Sequence, residues 1–191
     1  MAEAERSPAD DAIAAMALFG EVLSQVDDSH LELETPCPGW DVETLISHVV
    51  LGDASVPLLF AGTPLDGKEP VDRSILGKNP MATWRGTALA AIEAFRAPGA
   101  MDQEVPHPSG DRPGSVVAKF RLVDVLAHTW DLATAASIPF EIPDDLADAA
   151  LDFLFPMVDQ LRESEYFGDA VEPAEGASAG ERFLALVGRQ V

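Results

Sequence analysis

The chain has 191 residues, of which 47% are hydrophobic, and its mean hydropathy is +0.07. These values are typical of a globular protein with a core of its own and exclude an intrinsically disordered chain. With 33 acidic and 12 basic residues the net charge is −21, which argues against roles that need a basic surface, namely binding to nucleic acid or to anionic membranes.

The sequence contains no run of 18 apolar residues, and its N-terminal segment is acidic and polar. We therefore expect neither a transmembrane helix nor a secretory signal, whose first residues would be basic and then apolar. The single cysteine, Cys37, allows no internal disulfide. This cysteine usage fits a reducing compartment, and we expect a cytoplasmic protein.

The first predicted helix begins after Ser7, which is a good N-cap, with proline at the first helical position. Apolar residues then recur with the 3.6-residue period and predict a helix over about 8–27. The segment 35–39, Thr-Pro-Cys-Pro-Gly, cannot be helical, because two prolines and a glycine favour a turn.

The second predicted helix spans about 42–60, with Asp41 as its N-cap. Trp40, just before the cap, can pack on Leu45 one turn into the helix and so set the angle at which the chain enters it. Pro57 is expected to kink this helix or to end it early.

Residues 62–78 are polar and rich in glycine, proline and aspartate, which predicts a long surface connection. Asn79 and the proline after it begin a third helix that runs to about Arg96. The segment 100–113 contains three prolines and predicts a short hairpin or an irregular crossover. His107 within it has no periodic context and is expected to face solvent.

A fourth helix is predicted over about 115–136, and a fifth over about 145–162 with Asp144 as its cap. A glycine-, alanine- and glutamate-rich loop follows it. A last short helix over 181–187 ends at Gly188, which favours the left-handed conformation found after helix ends.

Four long helices and two minor ones, with no sustained strand pattern and no internal repeat, predict an all-α protein built as an antiparallel bundle. We expect a single domain over 1–191. Its core bundle covers about 8–136, and a C-terminal helical extension covers about 144–188.

The fourth helix carries one polar stripe on an otherwise apolar surface. At about 100° per residue, Asp124 and His128 lie one turn apart, and Arg121 and Asp131 extend the stripe on either side. A buried carboxylate and imidazole are costly unless something satisfies them. A divalent metal would satisfy both, and a direct hydrogen bond between Asp124 and His128 is the alternative.

His48 lies within the apolar pattern of the second helix. Alone, such a histidine is more often a hydrogen-bonded core residue than a ligand. In a bundle, however, sites are built from facing helices, often with an acidic residue and a histidine one turn apart. His48, Asp124 and His128 would make a three-ligand set with open positions, as in catalytic metal sites. The spacing alone leaves both interpretations open.

Other site chemistries find little support. The sequence contains no glycine-rich phosphate loop, no G-x-S-x-G elbow and no CxxC pair. Cys37 lies near the start of a helix, whose dipole could favour its thiolate, but it stands between two prolines with no base beside it in sequence. A packing role is the more common one for such a cysteine.

Two segments together resemble a known family. The segment ending at His48, Thr-Pro-Cys-Pro-Gly-Trp-Asp-Val-Glu-Thr-Leu-Ile-Ser-His, resembles the TPC-x-x-W-x-V-x-x-L-x-x-H signature of DinB-like proteins related to mycothiol-dependent maleylpyruvate isomerase. The segment 124–133, Asp-Val-Leu-Ala-His-Thr-Trp-Asp-Leu-Ala, is similar to the family's second signature. The segment 182–189 resembles the tail of a short, metal-binding branch.

The resemblance implies a DinB-like four-helix bundle with additional C-terminal helices. It implies a divalent metal, zinc or nickel, held by residues that match His48, Asp124 and His128. Family members of known activity use the metal to activate a low-molecular-weight thiol, such as mycothiol or bacillithiol, which then attacks an electrophile in a transferase or isomerase reaction. The expected partners are therefore a small-molecule thiol and an electrophile.

The chain also departs from the isomerase pattern. Asp124 stands where the isomerase has glutamate, a shorter arm that alters the geometry or the metal preference. The isomerase has a C-terminal domain that supplies an arginine to its acidic substrate, and this chain is too short for one. Arg121 or Arg182 would have to make that contact, unless Arg121 merely pairs with Asp124 or Asp131. We therefore do not expect maleylpyruvate isomerisation itself.

Three further residues are expected to have roles around the site. Trp40 and Trp130 would pack beside it and exclude water, or serve only as core aromatics. Asp131 would hydrogen-bond a ligand histidine, or act as a cap or surface residue.

Two alternatives to an enzyme stay open, namely a non-enzymatic metal-binding or stress protein and a bundle without metal. Apolar helix faces allow two copies to pair as a homodimer.

Overall fold

The computed structural model describes residues 6–66, 70–158 and 170–191 of the chain. It divides the chain into two compact units, Met1–Ile138 and Pro139–Val191. The boundary lies between the predicted core bundle and the predicted C-terminal extension. The expectation that 1–191 forms a single domain stays a prediction.

The first unit contains the four predicted long helices. These are α1 (Pro8–Leu23), α2 (Val42–Phe60), α3 (Pro80–Arg96) and α4 (Gly114–Ala135). A short 3-10 helix, Arg73–Leu76, interrupts the predicted long connection before α3. The predicted hairpin is present as two antiparallel strands, β1 (Glu104–His107) and β2 (Gly110–Pro113). The all-α fold class is confirmed.

The helices begin at the residues that the sequence predicts. The side chains of Ser7, Asp41 and Asn79 each accept a hydrogen bond from a backbone N–H in the first turn of their helix. One expectation was wrong, because α1 ends near residue 23 and not near 27, where the chain tightens into hydrogen bonds between residues three apart. α2 ends at Phe60 as predicted. Pro57 does not end it early, since a proline in the last turn removes only one helical hydrogen bond.

The core of this unit lies between two helix pairs. α1 packs mainly on α4, α2 packs mainly on α3, and α2 also contacts α4. α2 is long and apolar enough to span a membrane by length and composition alone, but half of that window is buried in the fold, as in the core helix of a soluble protein. The largest fully buried side chains in this unit are those of Phe19, Phe95, Met16, Leu45, Ile46, Leu122, Leu126 and Leu132.

The second unit contains α5 (Asp144–Leu154), a 3-10 turn at Phe155–Met157, and α6 (Ala179–Leu186), which packs on α5. The predicted end of the fifth helix, 159–162, and the start of the loop after it lie outside the described residues. Asp144 does not cap α5. It is the first helical residue, and its carboxylate accepts a hydrogen bond from the backbone N–H of Ala179.

The C-terminal end of α6 follows the prediction. Gly188 has a left-handed backbone, with φ of 84°, directly after the helix. The N–H of Arg189 then bonds the carbonyl of Leu184. This is the expected way of satisfying a carbonyl at the end of a helix.

Candidate metal centre

The two predicted ligands on α4 meet the predicted ligand on α2. Nε2 of His48 lies 3.1 Å from Oδ1 of Asp124, and Nε2 of His128 lies 3.5 Å from the same oxygen. One ligand atom from each of the three residues lies within 4.8 Å of the others. The side chains of His48 and Asp124 are about one-third exposed, whereas His128 is nearly buried. The group therefore has one open side.

A tight turn before α2 covers the two histidines with Trp40. Thr35 Oγ1 donates to the carbonyl of Trp40 over 2.9 Å and accepts from the N–H of Cys37. The turn closes through Gly39, whose φ of +78° suits glycine. The indole ring lies 4.9 Å from the His48 ring and stacks on the His128 ring at 5.7 Å.

The second oxygen of Asp124 is held by Arg121. The guanidinium donates over 2.6 Å to Oδ2 of Asp124 and over 2.8 Å to Oδ1 of Asp53 on α2. Arg121 and Asp53 are both buried. The two carboxylates raise the pKa of Arg121 despite its burial, so this residue stays charged. The guanidinium does not engage Oδ1 of Asp124, which is the oxygen that faces both histidines.

The other nitrogen of His128 faces a separate pair of side chains. Nδ1 lies 3.1 Å from Oδ2 of Asp131, which is fully buried. The thiol of Cys37 donates to the same oxygen over 3.1 Å, and Sγ lies 3.8 Å from Nδ1. A carboxylate beside Nδ1 favours the proton on that nitrogen and leaves the Nε2 lone pair for the site.

The charges of the site couple Asp124 to the histidines. Burial opposes ionisation of Asp124, but the nearby His48, Arg121 and His128 outweigh it and hold the pKa of this carboxyl well below its usual range. Burial likewise lowers the pKa of His128, but Asp124 and the bonds to Asp131 and Cys37 raise it well above the ordinary value. Asp124 and His128 thus favour each other's charged forms.

The donor set fits a divalent transition metal. Two imidazole nitrogens and one carboxylate oxygen are ordinary ligands for zinc and nickel. Their separations of 3.1 and 3.5 Å are close to those of atoms that share one ion. Arg121 and Asp131 fix the orientations of Asp124 and His128, as the outer partners of metal ligands commonly do. Three ligands and an open side leave room for a further ligand.

The other predicted site residues have different outcomes. Trp40 packs on both histidines, whereas Trp130 is half-buried and makes no ring contact with either one within the described parts of the chain. Arg121 pairs with Asp124, which was the alternative to a substrate contact. Arg182 lies in the second unit and pairs with Asp148. Asp131 hydrogen-bonds His128, the contact that one of its two predicted roles requires.

Sequence reasoning missed two participants and misplaced a third residue. Asp53 interrupts the apolar face of α2, a signal that could have indicated a buried ion pair. Cys37 has a base near it after all, but His128 is 91 positions away in sequence. His107 does not face solvent as expected. It is half-buried and stacks on Phe120 at 5.1 Å, with only 6° between the ring planes.

A cavity of about 260 Å³ opens elsewhere in the first unit. Its lining includes Leu23, Asp28, Ile46, Lys78 and Met81. None of the three proposed ligands lines it. The structure thus shows this cavity and the ligand group as separate features.

Comparison with known proteins matches this chain to a family, to two relatives and to a solved structure. Residues 12–133 match the family model described as the mycothiol maleylpyruvate isomerase N-terminal domain. Uncharacterized proteins from two strains of Mycobacterium tuberculosis are each 34% identical over 129 residues, which cover 68% of this chain and 67% of the relative. The crystal structure of a mutant mycothiol-dependent maleylpyruvate isomerase matches with a TM-score of 0.65 at 17% identity, covering 90% of this chain and 77% of that one. This likeness shows the fold, a DinB-like helical bundle.

Proposed function

Because this chain belongs to the mycothiol maleylpyruvate isomerase N-terminal domain family, we propose that it is a metal-dependent enzyme that uses a low-molecular-weight thiol such as mycothiol. The observation that carries the proposal is the convergence of His48, Asp124 and His128 on one open-sided group. The reaction would be a thiol transfer or an isomerisation, with a small electrophile as the second substrate. Its setting would be the cytoplasm, and pairing of two copies as a homodimer belongs to the same proposal.

The three residues would hold zinc or nickel through Nε2 of each histidine and Oδ1 of Asp124. When bound, such an ion lowers the pKa of a coordinated thiol and supplies a thiolate at neutral pH. Arg121 keeps Oδ2 of Asp124 engaged, which favours binding through Oδ1 alone. Asp131 keeps the proton of His128 on Nδ1.

Trp40 would limit the access of water to the site. Its indole lies over both imidazoles, so it covers one side of the ligand group with an apolar surface. A thiolate is a stronger nucleophile when fewer water molecules solvate it. The substrates would approach from the side on which His48 and Asp124 are exposed.

The first test is the metal content of protein purified without added metal. We expect about one equivalent of zinc or nickel per chain in the wild type and a large loss in the double variant His48→Ala/Cys37→Ser, because two ligands hold an ion much more weakly than three and no thiolate can replace the third. His30→Ala is the matched control, since His30 lies in the turn after α1 and bonds Asp27. Equal metal in all three proteins, or none in the wild type after reconstitution, would contradict the ligand assignment.

The second test is thiol consumption. Metal-loaded protein is incubated with mycothiol and a panel of electrophiles, beside metal-depleted protein and His48→Ala. We expect consumption of the thiol, or isomerisation that depends on it, only with the loaded wild type.

A non-enzymatic metal-binding protein, with a role such as stress response, is the second candidate. The observation that favours it is that the described cavity of about 260 Å³ is lined by none of the ligands. Retention of one equivalent of metal without turnover of any thiol–electrophile pair would support this candidate over the enzyme.

A further inference from the structure

We propose that Cys37, His128 and Asp131 form a second cation site, specific for a thiophilic divalent ion such as Zn²⁺, Cd²⁺ or Co²⁺. Its ligand atoms are the thiolate Sγ, the Nδ1 nitrogen and the Oδ2 oxygen, which lie within 4.8 Å of one another. It shares His128 with the group of His48, Asp124 and His128, which we call the first ligand group, but it uses the opposite ring nitrogen.

The separations suit a tetrahedral ion. Sγ and Oδ2 lie 3.1 Å apart, Nδ1 and Oδ2 lie 3.1 Å apart, and Sγ and Nδ1 lie 3.8 Å apart. Bond lengths of about 2.3 Å to sulfur and about 2.0 Å to nitrogen or oxygen place tetrahedral ligands roughly 3.3–3.6 Å from each other. Small rotations of the side chains would therefore bring all three atoms to bonding distance.

The scaffold holds the three side chains in this arrangement. His128 and Asp131 lie one turn apart on α4, and the fully buried Asp131 has little freedom to move. The turn that Thr35 closes holds Cys37 against them. Cys37 is half-exposed, so an ion can reach the group from its side.

The thiolate distinguishes the two sites chemically. The first ligand group offers nitrogen and oxygen only, whereas this one adds sulfur, which soft and borderline ions prefer. Binding at the second site releases the thiol proton of Cys37 to solvent. The ion takes the Nδ1 lone pair of His128, so the imidazole carries its one proton on Nε2, which faces the carboxylate of Asp124 at 3.5 Å. A neutral imidazole has one free lone pair, so the two sites compete for His128.

Cobalt tests the proposal, because a cobalt–thiolate bond gives a charge-transfer band in the near ultraviolet. The chain has one cysteine, so in thiol-free buffer the band can come only from Cys37. On titrating metal-depleted protein with Co²⁺, we expect the band in His48→Ala, where the first ligand group no longer competes for His128, and its complete loss in the double variant His48→Ala/Cys37→Ser. Absence of the band from His48→Ala would overturn the proposal.

A second measurement avoids any folding defect of the serine variant. We expect Cd²⁺ to slow the reaction of Cys37 with a disulfide reagent roughly tenfold or more in His48→Ala, because a metal-bound thiolate is a weaker nucleophile than a free one. An unchanged rate would overturn the second site. The metal content of Cys37→Ser beside that of His48→Ala/Cys37→Ser tests the first site alone, so failure of one proposal is distinguishable from failure of the other.

Discussion

Arg121 is the residue on which the geometry of Asp124 depends. It lies between Asp53 and Asp124, 2.8 and 2.6 Å from their nearest oxygens, in the interior of the first unit. Its NH1 passes so close to Gly52 that a Cβ there would lie 2.2 Å from it. Glycine at this helical position therefore makes room for the guanidinium, although glycine lowers helix stability.

This close approach predicts opposite effects of two glycine substitutions. A Cβ added at Gly86 on α3 would meet nothing within 4 Å, so Gly86→Ala should raise the free energy of unfolding by about 0.5–1 kcal/mol. Gly52→Ala gains the same helix propensity but displaces a buried charged group, and we expect a net loss of about 1–3 kcal/mol. Urea denaturation of the metal-free proteins measures both changes. Equal stabilisation by the two substitutions would show that the guanidinium moves at no cost.

Contacts between residues of the same helix could be predicted from the sequence. The i, i+4 spacing of Asp124 and His128 is a local pattern, and so is the placement of Asp131 beside the imidazole. The contact of Cys37 with Asp131 joins residues 94 positions apart, so it depends on how the turn before α2 meets α4. No local pattern contains that information, which is why a packing role was favoured for the cysteine.

The hairpin is the element whose role the sequence did not indicate. His107 at the end of β1 stacks on Phe120 of α4 and hydrogen-bonds Ser109. Burial, and secondarily the charge of Arg112, lowers the pKa of His107 below its ordinary value of 6.5. The folded state therefore favours the neutral imidazole.

This lowered pKa predicts a pH-dependent loss of stability. The unfolded chain binds a proton near pH 6.5 and the folded chain only at lower pH, so the contribution of His107 is present above pH 6.5 and is lost as the pH falls toward the folded pKa. His107→Phe keeps an aromatic ring against Phe120 but cannot titrate. We expect wild type to lose more stability than His107→Phe between about pH 8 and about pH 5, measured by urea denaturation. Parallel losses would contradict the prediction.

The start of a helix could be predicted where its capping contact is local. Ser7, Asp41 and Asn79 cap their helices through side chains within the same turn, so a local sequence suffices. Asp144 looks like the same kind of residue, yet its carboxylate binds the N–H of Ala179, 35 positions away. The capping preference of aspartate is a local tendency that a tertiary contact can override.

The whole molecule combines a four-helix unit that holds all the proposed ligands with a smaller unit of about 50 residues. The periodic apolar patterns predicted the four helices and their all-α class, because each long helix buries one face. The pairing of α1 with α4 and of α2 with α3 depends on the shapes of the packed faces, which periodicity does not specify.

The size of the second unit supports the proposal that 1–191 unfolds as one domain. A segment of about 50 residues buries too little apolar surface to be stable alone without disulfides or a metal, and the only cysteine of the chain lies in the first unit. We therefore expect one calorimetric transition for the full chain. Two transitions would contradict the single-domain proposal.

Removal of the metal should shift that whole transition. An ion present at about 100 times its dissociation constant stabilises the native state by about 2.7 kcal/mol. For a chain of this size, a chelator should then lower Tm by roughly 5–11 °C. His48→Ala/Cys37→Ser should melt at the same temperature with and without chelator, because it lacks a ligand of each proposed site and has no tightly held ion to lose. A chelator effect of equal size in both proteins would mean that the stabilising ion binds elsewhere, and an unchanged wild-type Tm would mean that these ligands hold no ion tightly.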